Sequence, residues 1–411
     1  MPDPARPKPV RVVFLGGLGE IGRNCACIEV DGRIVVLDCG IMFPDPDMPG
    51  IDLVLPEFTY LHERADRVDG IVLTHGHEDH TGGLAYLLRE LHAPIYGSEL
   101  TVGLARHRID EAGLADRTRV VVVADGERVR IGACDVEFIP VTHSVPESMA
   151  IAFHTPQGVI LHSGDFKLDL QPVDGRRTDL ARMGELAQTE GIRLLLADST
   201  NAEEPGFTES ESSVGVVLRR VFAAQSGKRV IVACFASHMH RVQQIIDAAV
   251  ANGRKVATLG RSMGKNVELG MRLGIISIPD GVQVDIEDVD SLPPGEVCVI
   301  STGSQGEPMS AAPAPISAAH AGSSPHKYHW HQPTSTSPSA TMSGWTACSP
   351  ATLRRRSSAS SSTDEPARYQ RATCGADSHQ VTRGRSSARI GRRVSTSLAP
   401  RTRRRRTTRH G

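Results

Sequence analysis

Paired cysteines are missing from this chain of 411 residues. Its eight cysteines, Cys25, Cys27, Cys39, Cys134, Cys234, Cys298, Cys348 and Cys374, form no CxxC motif. Most lie inside apolar, strand-like runs, where a free thiol behaves as a small hydrophobe. That pattern argues against a disulfide framework and for a reducing, cytoplasmic setting. Also missing is any apolar run near the roughly 18 residues that a membrane span needs, so no membrane partner is expected. The opening stretch, MPDPARPKP, has no apolar centre and does not read as a secretory signal. Residues 1–9 are expected to be disordered.

Net charge is nearly absent as well, at −1, but the mean hides a split. Residues 312–411 carry 17 Lys and Arg against 3 Asp and Glu, while residues 1–311 carry 29 against 44. An acidic body with a basic tail signals a nucleic-acid-binding arm or two stretches of different origin. The tail is rich in Ser, Thr, Ala, Pro and Arg and shows no period of 2 or 3.6. It cannot bury enough apolar surface to offset its ordering entropy, so it reads as disordered. Its composition fits a shifted reading frame in GC-rich DNA better than a basic RNA-binding arm.

The body has clear organisation. VRVVFLGG (10–17) reads as a strand ending in glycines. Residues 24–40 read as a hairpin, with Asp31-Gly32 supplying the tight turn. Residues 68–80 read as a strand running into a loop, and 81–92 as the helix that the loop opens into. Short strands with turn signals follow to about residue 199. Helices are expected over 211–225, 238–253 and 263–274, alternating with strands at RVIVACF and KVATLG. The reading is an α/β (α+β) chain: residues 10–205 form one unit, 206–311 an α/β second unit, and 312–411 the basic tail.

The loop LTHGHEDHTGG (73–83) carries the chemistry. Imidazoles and carboxylates converging from one side suit a divalent metal. His75 and His77 can serve one ion, and Asp79 and His80 a second. Further ligands are expected at other strand ends: His143 after FIPVT, and Asp165 after VILHSG, placed to bridge. Two metals about 3.5–4 Å apart can activate a hydroxide and stabilise both oxygens of a phosphoryl transfer. Asp38, after RIVVL, can orient the histidine loop from behind the ligands. His162 falls within a strand and reads as packing. FPDPDMPGID offers Asp45, Asp47 and Asp52 to a hard cation, although a solvated loop is the simpler reading. GRSMGKN (260–266) reads as a basic turn able to hold phosphate.

Asp38, HxHxDH, His143 and Asp165 in this order resemble the metallo-β-lactamase superfamily. GGLGEIGRNC, TGGLAYLLREL, LLADSTNAEEPGFTESE, FASHMHRVQQIID and STGSQGEPMSA further resemble bacterial ribonuclease J over residues 10–311. The resemblance implies an αββα sandwich interrupted by a β-CASP domain, and two zinc ions per subunit. It implies a zinc-dependent ribonuclease acting as 5′-to-3′ exonuclease and endonuclease on 5′-monophosphorylated RNA, and a homo-oligomer. It assigns His75, His77 and His143 to one zinc, Asp79 and His80 to the other, and Asp165 to both. It gives Asp79, His80 and Asp198 to catalysis, and Ser237 and His238 to the RNA backbone. For Ser237, a helix N-cap is the competing role.

The family pattern continues beyond GEPMSA with two more histidine motifs and a last zinc-ligating histidine. His320, His326, His329 and His331 do not sit in matching motifs. The second zinc site is therefore expected to be incomplete, and an inactive, truncated product is the alternative reading. A DNA-processing or glyoxalase-like hydrolase of the same fold is the other alternative.

Overall fold

The computed structural model describes residues 9–44, 48–203 and 205–302, with the backbone of residues 345–348. Its first sheet is built from β1 (Arg11–Gly16), β2 (Cys25–Val30), β3 (Arg33–Leu37), β4 (Val68–Val72), β5 (Ile95–Gly97) and β6 (Val120–Val122), in that spatial order. The β1–β2 and β2–β3 pairings are antiparallel, and those from β3 to β6 are parallel. The β2–β3 hairpin turns where expected. Asp31 and Gly32 have φ of +52° and +81°, the pair of positive values that a two-residue turn requires.

The second sheet runs β11-β10-β9-β8-β7, from β7 (Arg128–Ile131), β8 (Cys134–Pro140), β9 (Met149–Thr155), β10 (Gly158–His162) and β11 (Ile192–Leu196). Ile28, Val35, Leu37 and Val72 of the first sheet meet Val136, Phe138, Ile151 and Phe153 of the second in one buried layer. The outer face of the first sheet buries Ile34, Val36, Ile71 and Ile95. They pack against α3 (Leu84–Leu87) and α4 (Glu99–Glu111), with Leu61 of α1 (Thr59–His62) joining them; α2 (Glu78–Thr81) lies just before α3 in the chain. The outer face of the second sheet packs on α5 (Leu180–Thr189) through Leu186. Strands covered on both faces read as near-continuous apolar runs, as these do. The result is the αββα sandwich.

The remaining unit is a parallel sheet in the order β13-β14-β12-β15. Its strands are β12 (Arg229–Ala233), β13 (Lys255–Leu259), β14 (Val297–Ser301) and β15 (Trp345–Cys348). Helices α6 (Ser212–Ala224), α7 (Met239–Val250) and α8 (Arg261–Arg272) cover one face, and Leu100 of α4 and Val145 join their core.

The structure departs from the sequence reading in five places. Of the helix expected over 81–92 only the single turn α3 forms, just after another single turn, α2, that ends at Thr81. Gly82 and Gly83 lie between them where side chains do not fit: a Cβ on Gly83 would lie 2.8 Å from the Gly40 carbonyl, and one on Gly82 2.7 Å from the Glu78 carbonyl. Helices α4 and α5 were not foreseen. α4 is covered by the sheet on one side and by α8 on another, so its apolar positions do not form one stripe. α5 buries only Leu186. The GRSMGKN segment is no turn: Gly260 (φ +109°) precedes α8, which begins at Arg261. No element was expected in residues 312–411, yet residues 345–348 form β15, whose backbone satisfies the edge of β12. The rest of that tail, with His320, His326, His329 and His331, lies outside the described residues, as do Asp45 and Asp47.

A buried polar knot ties α5 to the second sheet. Glu137 accepts from His154 Nε2 (2.9 Å) and from Arg182 Nε (2.6 Å), and His154 Nδ1 reaches Glu190 Oε2 at 2.7 Å. Burial acts against the charge on Glu137, but its hydrogen bonds to His154 and Arg182 prevail and hold its pKa at about 2. Burial likewise disfavours the charged His154, but the two carboxylates outweigh it and raise the pKa. A raised histidine contributes stability fully below its unfolded value of about 6.5 and loses it as pH climbs through the native value. A depressed glutamate contributes fully above its unfolded value of about 4.3 and loses it as pH falls towards the native value. The gap in urea midpoint between wild type and His154→Gln should therefore be widest between about pH 4.3 and 6.5 and shrink at higher pH. Urea titrations of both proteins across pH 5–9 check this; a gap that widens with pH would contradict it.

Candidate metal centre

Two strand ends and two loops bring the ligands together. β3 ends at Leu37, and Asp38 follows in the left-handed region (φ +56°). That turn drives its carboxylate into the protein, where it is 1% exposed. Asp38 accepts from the Thr74 amide (2.8 Å) and from the Thr74 hydroxyl (2.9 Å). Its Oδ2 also lies 2.8 Å from His80 Nδ1. His80 Nδ1 thus donates its proton to Asp38, which leaves Nε2 as the nitrogen that faces the cluster.

β4 ends at Val72, and its continuation carries His75 and His77 before α2 supplies Asp79 and His80. The second sheet supplies the rest: His143 from the loop after β8, and Asp165 three residues beyond β10. Gly164 (φ +59°) makes the Asp165 turn, and a Cβ there would lie 2.9 Å from the Met149 carbonyl. His162, read as packing, accepts the Gly164 amide on Nδ1 at 3.0 Å and so supports that turn.

His77 Nδ1 lies 3.1 Å from His75 Nε2 and 3.2 Å from His143 Nε2. Asp165 Oδ2 is 3.9 Å from both His75 Nε2 and His143 Nε2. Its other oxygen, Oδ1, is 3.3 Å from His80 Nε2, and Asp79 Oδ2 is 3.6 Å from the same nitrogen. Two ligand groups result, His75-His77-His143-Asp165 and Asp79-His80-Asp165, each with ligand atoms within 4.8 Å of one another. Ligands about 2.05 Å from a tetrahedral ion are about 3.3 Å apart, so both groups fit such an ion after small adjustments. Asp165 offers one oxygen to each. The first group holds four donors; the second, among the described residues, holds three.

The electrostatics agree. Burial, with His80 nearby, pushes the pKa of His75 well down, and burial with His77 does the same for His143. Burial also lowers His77. Neutral imidazoles are metal-ready. His80 goes the other way: burial opposes its charge, but Asp165, Asp79 and Asp38 prevail and raise its pKa well above the usual value. Burial likewise opposes the charge on Asp165, but His80, His75 and His143 hold it far below the carboxylate range. Metal uptake at the second group must therefore displace a proton from His80.

The other candidates lie apart from these groups. Asp198 Oδ1 accepts from the amide and hydroxyl of Thr200, at 2.9 and 2.6 Å. Its own amide donates to Ser163 Oγ at 2.9 Å. Asp198 thus shapes a turn beside the Asp165 loop and belongs to neither ligand group. His238 lines the same cleft as His143. Its Nε2 lies 3.4 Å from Glu211 Oε2, and its buried Nδ1 has no hydrogen-bond partner among the described residues. Ser237 is not the N-cap of α7; that position falls on His238, which makes no side-chain cap bond. Lys265, in the segment read as a phosphate turn, pairs with Glu111 at 2.6 Å. Asp52 is exposed and joins neither group. One neighbour escaped the sequence reading: Asn24 Nδ2 sits 3.1 Å from His80 Nε2 and 3.2 Å from the Asp79 carbonyl. A lone Asn after a glycine-rich turn carries no signal of that role.

Comparison with known proteins bears on the fold and family. Residues 18–199 match the metallo-beta-lactamase superfamily, and residues 227–321 match the ribonuclease J beta-CASP domain. Ribonuclease J of Mycobacterium tuberculosis (strain H37Rv) is 47% identical over 312 residues, covering 75% of this chain and 55% of that protein. Ribonuclease J of Mycolicibacterium smegmatis is 45% identical over 311 residues, with the same coverage of both. Ribonuclease J2 of Bacillus subtilis is 40% identical over 312 residues, covering 76% and 56%. The chain thus spans about half the length of the curated relatives it matches. A protein of unknown function from Enterococcus faecalis V583 shares the fold, with a TM-score of 0.53 at 14% identity, over 71% of this chain and 77% of that one.

Asp38→Asn tests the link from Asp38 to the second ligand group. Asparagine tolerates a positive φ, but its amide nitrogen no longer takes the Nδ1 proton of His80. Affinity of the second ligand group for a divalent probe ion such as zinc should fall about 10- to 100-fold, read by competition with a chromophoric chelator.

Proposed function

We propose that this chain, which belongs to the ribonuclease J family of the metallo-β-lactamase superfamily, is built to hydrolyse RNA phosphodiester bonds at a two-zinc centre. The observation that carries the reading is Asp165, whose two carboxylate oxygens face two separate ligand groups. Bound there, a pair of zinc ions would lower the pKa of a water towards about 7 and offset charge building on the phosphate.

The residues of the chain supply position. His75, His77 and His143 would hold the first ion and Asp79 and His80 the second, with an oxygen of Asp165 available to each. Asp38 keeps His80 in one tautomer. Asp198 acts through the turn that anchors Ser163, two residues before Asp165. His238, which lines the cleft, and Ser237 beside it would face the strand to be cut. Lys167 and Arg176 line the same cleft, paired with Asp169 (3.3 Å) and Asp125 (2.6 Å), so the cleft is not a bare cationic groove. Electrostatic attraction to the RNA backbone is local rather than global. The relatives' names suggest the substrate; 5′-to-3′ and endonucleolytic cutting, preference for a 5′-monophosphate, a cytoplasmic setting and homo-oligomers belong to the same proposal.

A second reading, a chain with little activity, is favoured by the second ligand group, which counts three residues among those described. The two readings differ in a direct test. Zinc-loaded protein is incubated with 5′-monophosphorylated RNA, 5′-triphosphorylated RNA and DNA of the same sequence. The main reading expects RNA loss, fastest with the monophosphate, and loss of that activity in His77→Ala. Zinc binding at one equivalent without RNA cleavage would establish the second reading. Cleavage of DNA, a thioester or a lactam in place of RNA would overturn both.

A further inference from the structure

Helix α4 touches both ligand-bearing loops. The side chain of Leu104 lies on Gly76, between His75 and His77, so closely that its Cγ would be 3.4 Å from a Cβ placed there. One turn later Arg108 pairs with Glu78 at 2.6 Å, next to Asp79. At the start of the helix, the Leu100 amide donates to Glu147 Oε2 at 2.9 Å. Glu147 belongs to the loop that presents His143. The helix also meets the β-CASP unit: a Cβ on Gly103 would lie 3.1 Å from Leu269 of α8, and Glu111 pairs with Lys265.

Glu147 is the unusual member of this set. Its φ is +59°, a left-handed conformation that residues other than glycine rarely adopt. Such a backbone persists where its surroundings over-determine it, and it clusters at functional sites. Here the surroundings are specific. The first amides of a helix have no partner within it, and its N-terminus favours an anion. Ser98 Oγ accepts the Thr101 amide at 3.2 Å. The Leu100 amide is left to a carboxylate 47 residues away in sequence. The loop is also pinned at its ends, by Val141 N to Ser148 O (3.0 Å) and Met149 N to Thr74 O (2.9 Å). His143 hangs between these fixed points.

We propose that Glu147 is a positioning residue. By seating its loop on the N-terminus of α4 it sets His143 at the right distance from His75 and His77. Helix α4 thereby links the seating of the β-CASP unit to both ligand groups. This rests on the metal-centre reading above.

The test measures zinc affinity of the full chain by chelator competition, together with the visible spectrum of the cobalt-substituted protein. Glu147→Gln keeps an oxygen acceptor of the same length and should bind zinc within about twofold of wild type. Glu147→Gly removes the acceptor but suits the left-handed backbone. It should lose about tenfold in zinc affinity at one equivalent, shift the cobalt bands, and leave the unfolding midpoint of the chelated protein near that of wild type. Glu147→Asn, which tolerates the same φ but is too short to reach Leu100, should behave like Glu147→Gly and serves if that variant folds poorly. Wild-type zinc affinity in Glu147→Gly and Glu147→Asn overturns the proposal. So does an equal loss in Glu147→Gln, which would make charge rather than position the cause, or a loss matched by an equal fall in the chelated protein's midpoint. A wild-type chain that takes up no zinc at all overturns the metal-centre reading as well.

Discussion

Four imidazoles and two carboxylates, His75, His77, His80, His143, Asp79 and Asp165, converge at the junction of two sheets. Their lone pairs point at one another, an arrangement that burial makes costly unless a cation answers it. Much of the nearby structure holds these groups against that cost. Asp38 adopts a left-handed backbone to reach Thr74 and His80. Gly164 adopts another to turn Asp165 inwards. Glycines at 40, 82 and 83 let the end of β3 lie directly against the turn that carries Asp79 and His80; a Cβ on Gly40 would fall within the van der Waals radius of the Asp79 backbone.

The two sheets contribute unequally. The first supplies His75, His77, Asp79 and His80 from a single strand-to-helix connection. The second supplies His143 and Asp165 from two loops, tied to each other by the Lys167 amide donating to the Thr142 carbonyl at 2.8 Å. The centre therefore exists only when the sandwich closes, and Phe138, Ile151 and Phe153 in the shared layer are as necessary to it as the ligands. The β-CASP unit adds the far wall of the cleft. There Glu211 holds Arg241, Gln244 and His238 together, at 2.7 Å to Arg241 Nη2 and 3.1 Å to Gln244.

Local sequence pattern carried much of the architecture. The hairpin at Asp31-Gly32, the apolar runs of β3, β4, β12 and β14, and the amphipathic α6 and α7 each contain their own signal within about a dozen residues. Where a segment is shaped by what covers it, the signal fails. α4 is packed on more than one side, and Gly83, between α2 and α3, lies against residues 39–40, a contact that no window of sequence contains.

The same division runs through the centre. The clustering of the candidate ligands was legible because HxHxDH packs four donors into one connection, and because His143 and Asp165 stand at strand ends, where a sandwich aims them at one edge. Asp38 was legible for the same reason. What the sequence could not reveal is every contact made across a long separation. Asn24 beside His80, 56 residues away, Glu147 on the start of α4, Arg108 on Glu78, and Leu104 on Gly76 join segments that only the closed fold makes neighbours. The chemistry of the ligands is a property of residue types in a short span. Their spacing, tautomers and bracing are properties of packing, which is decided in three dimensions.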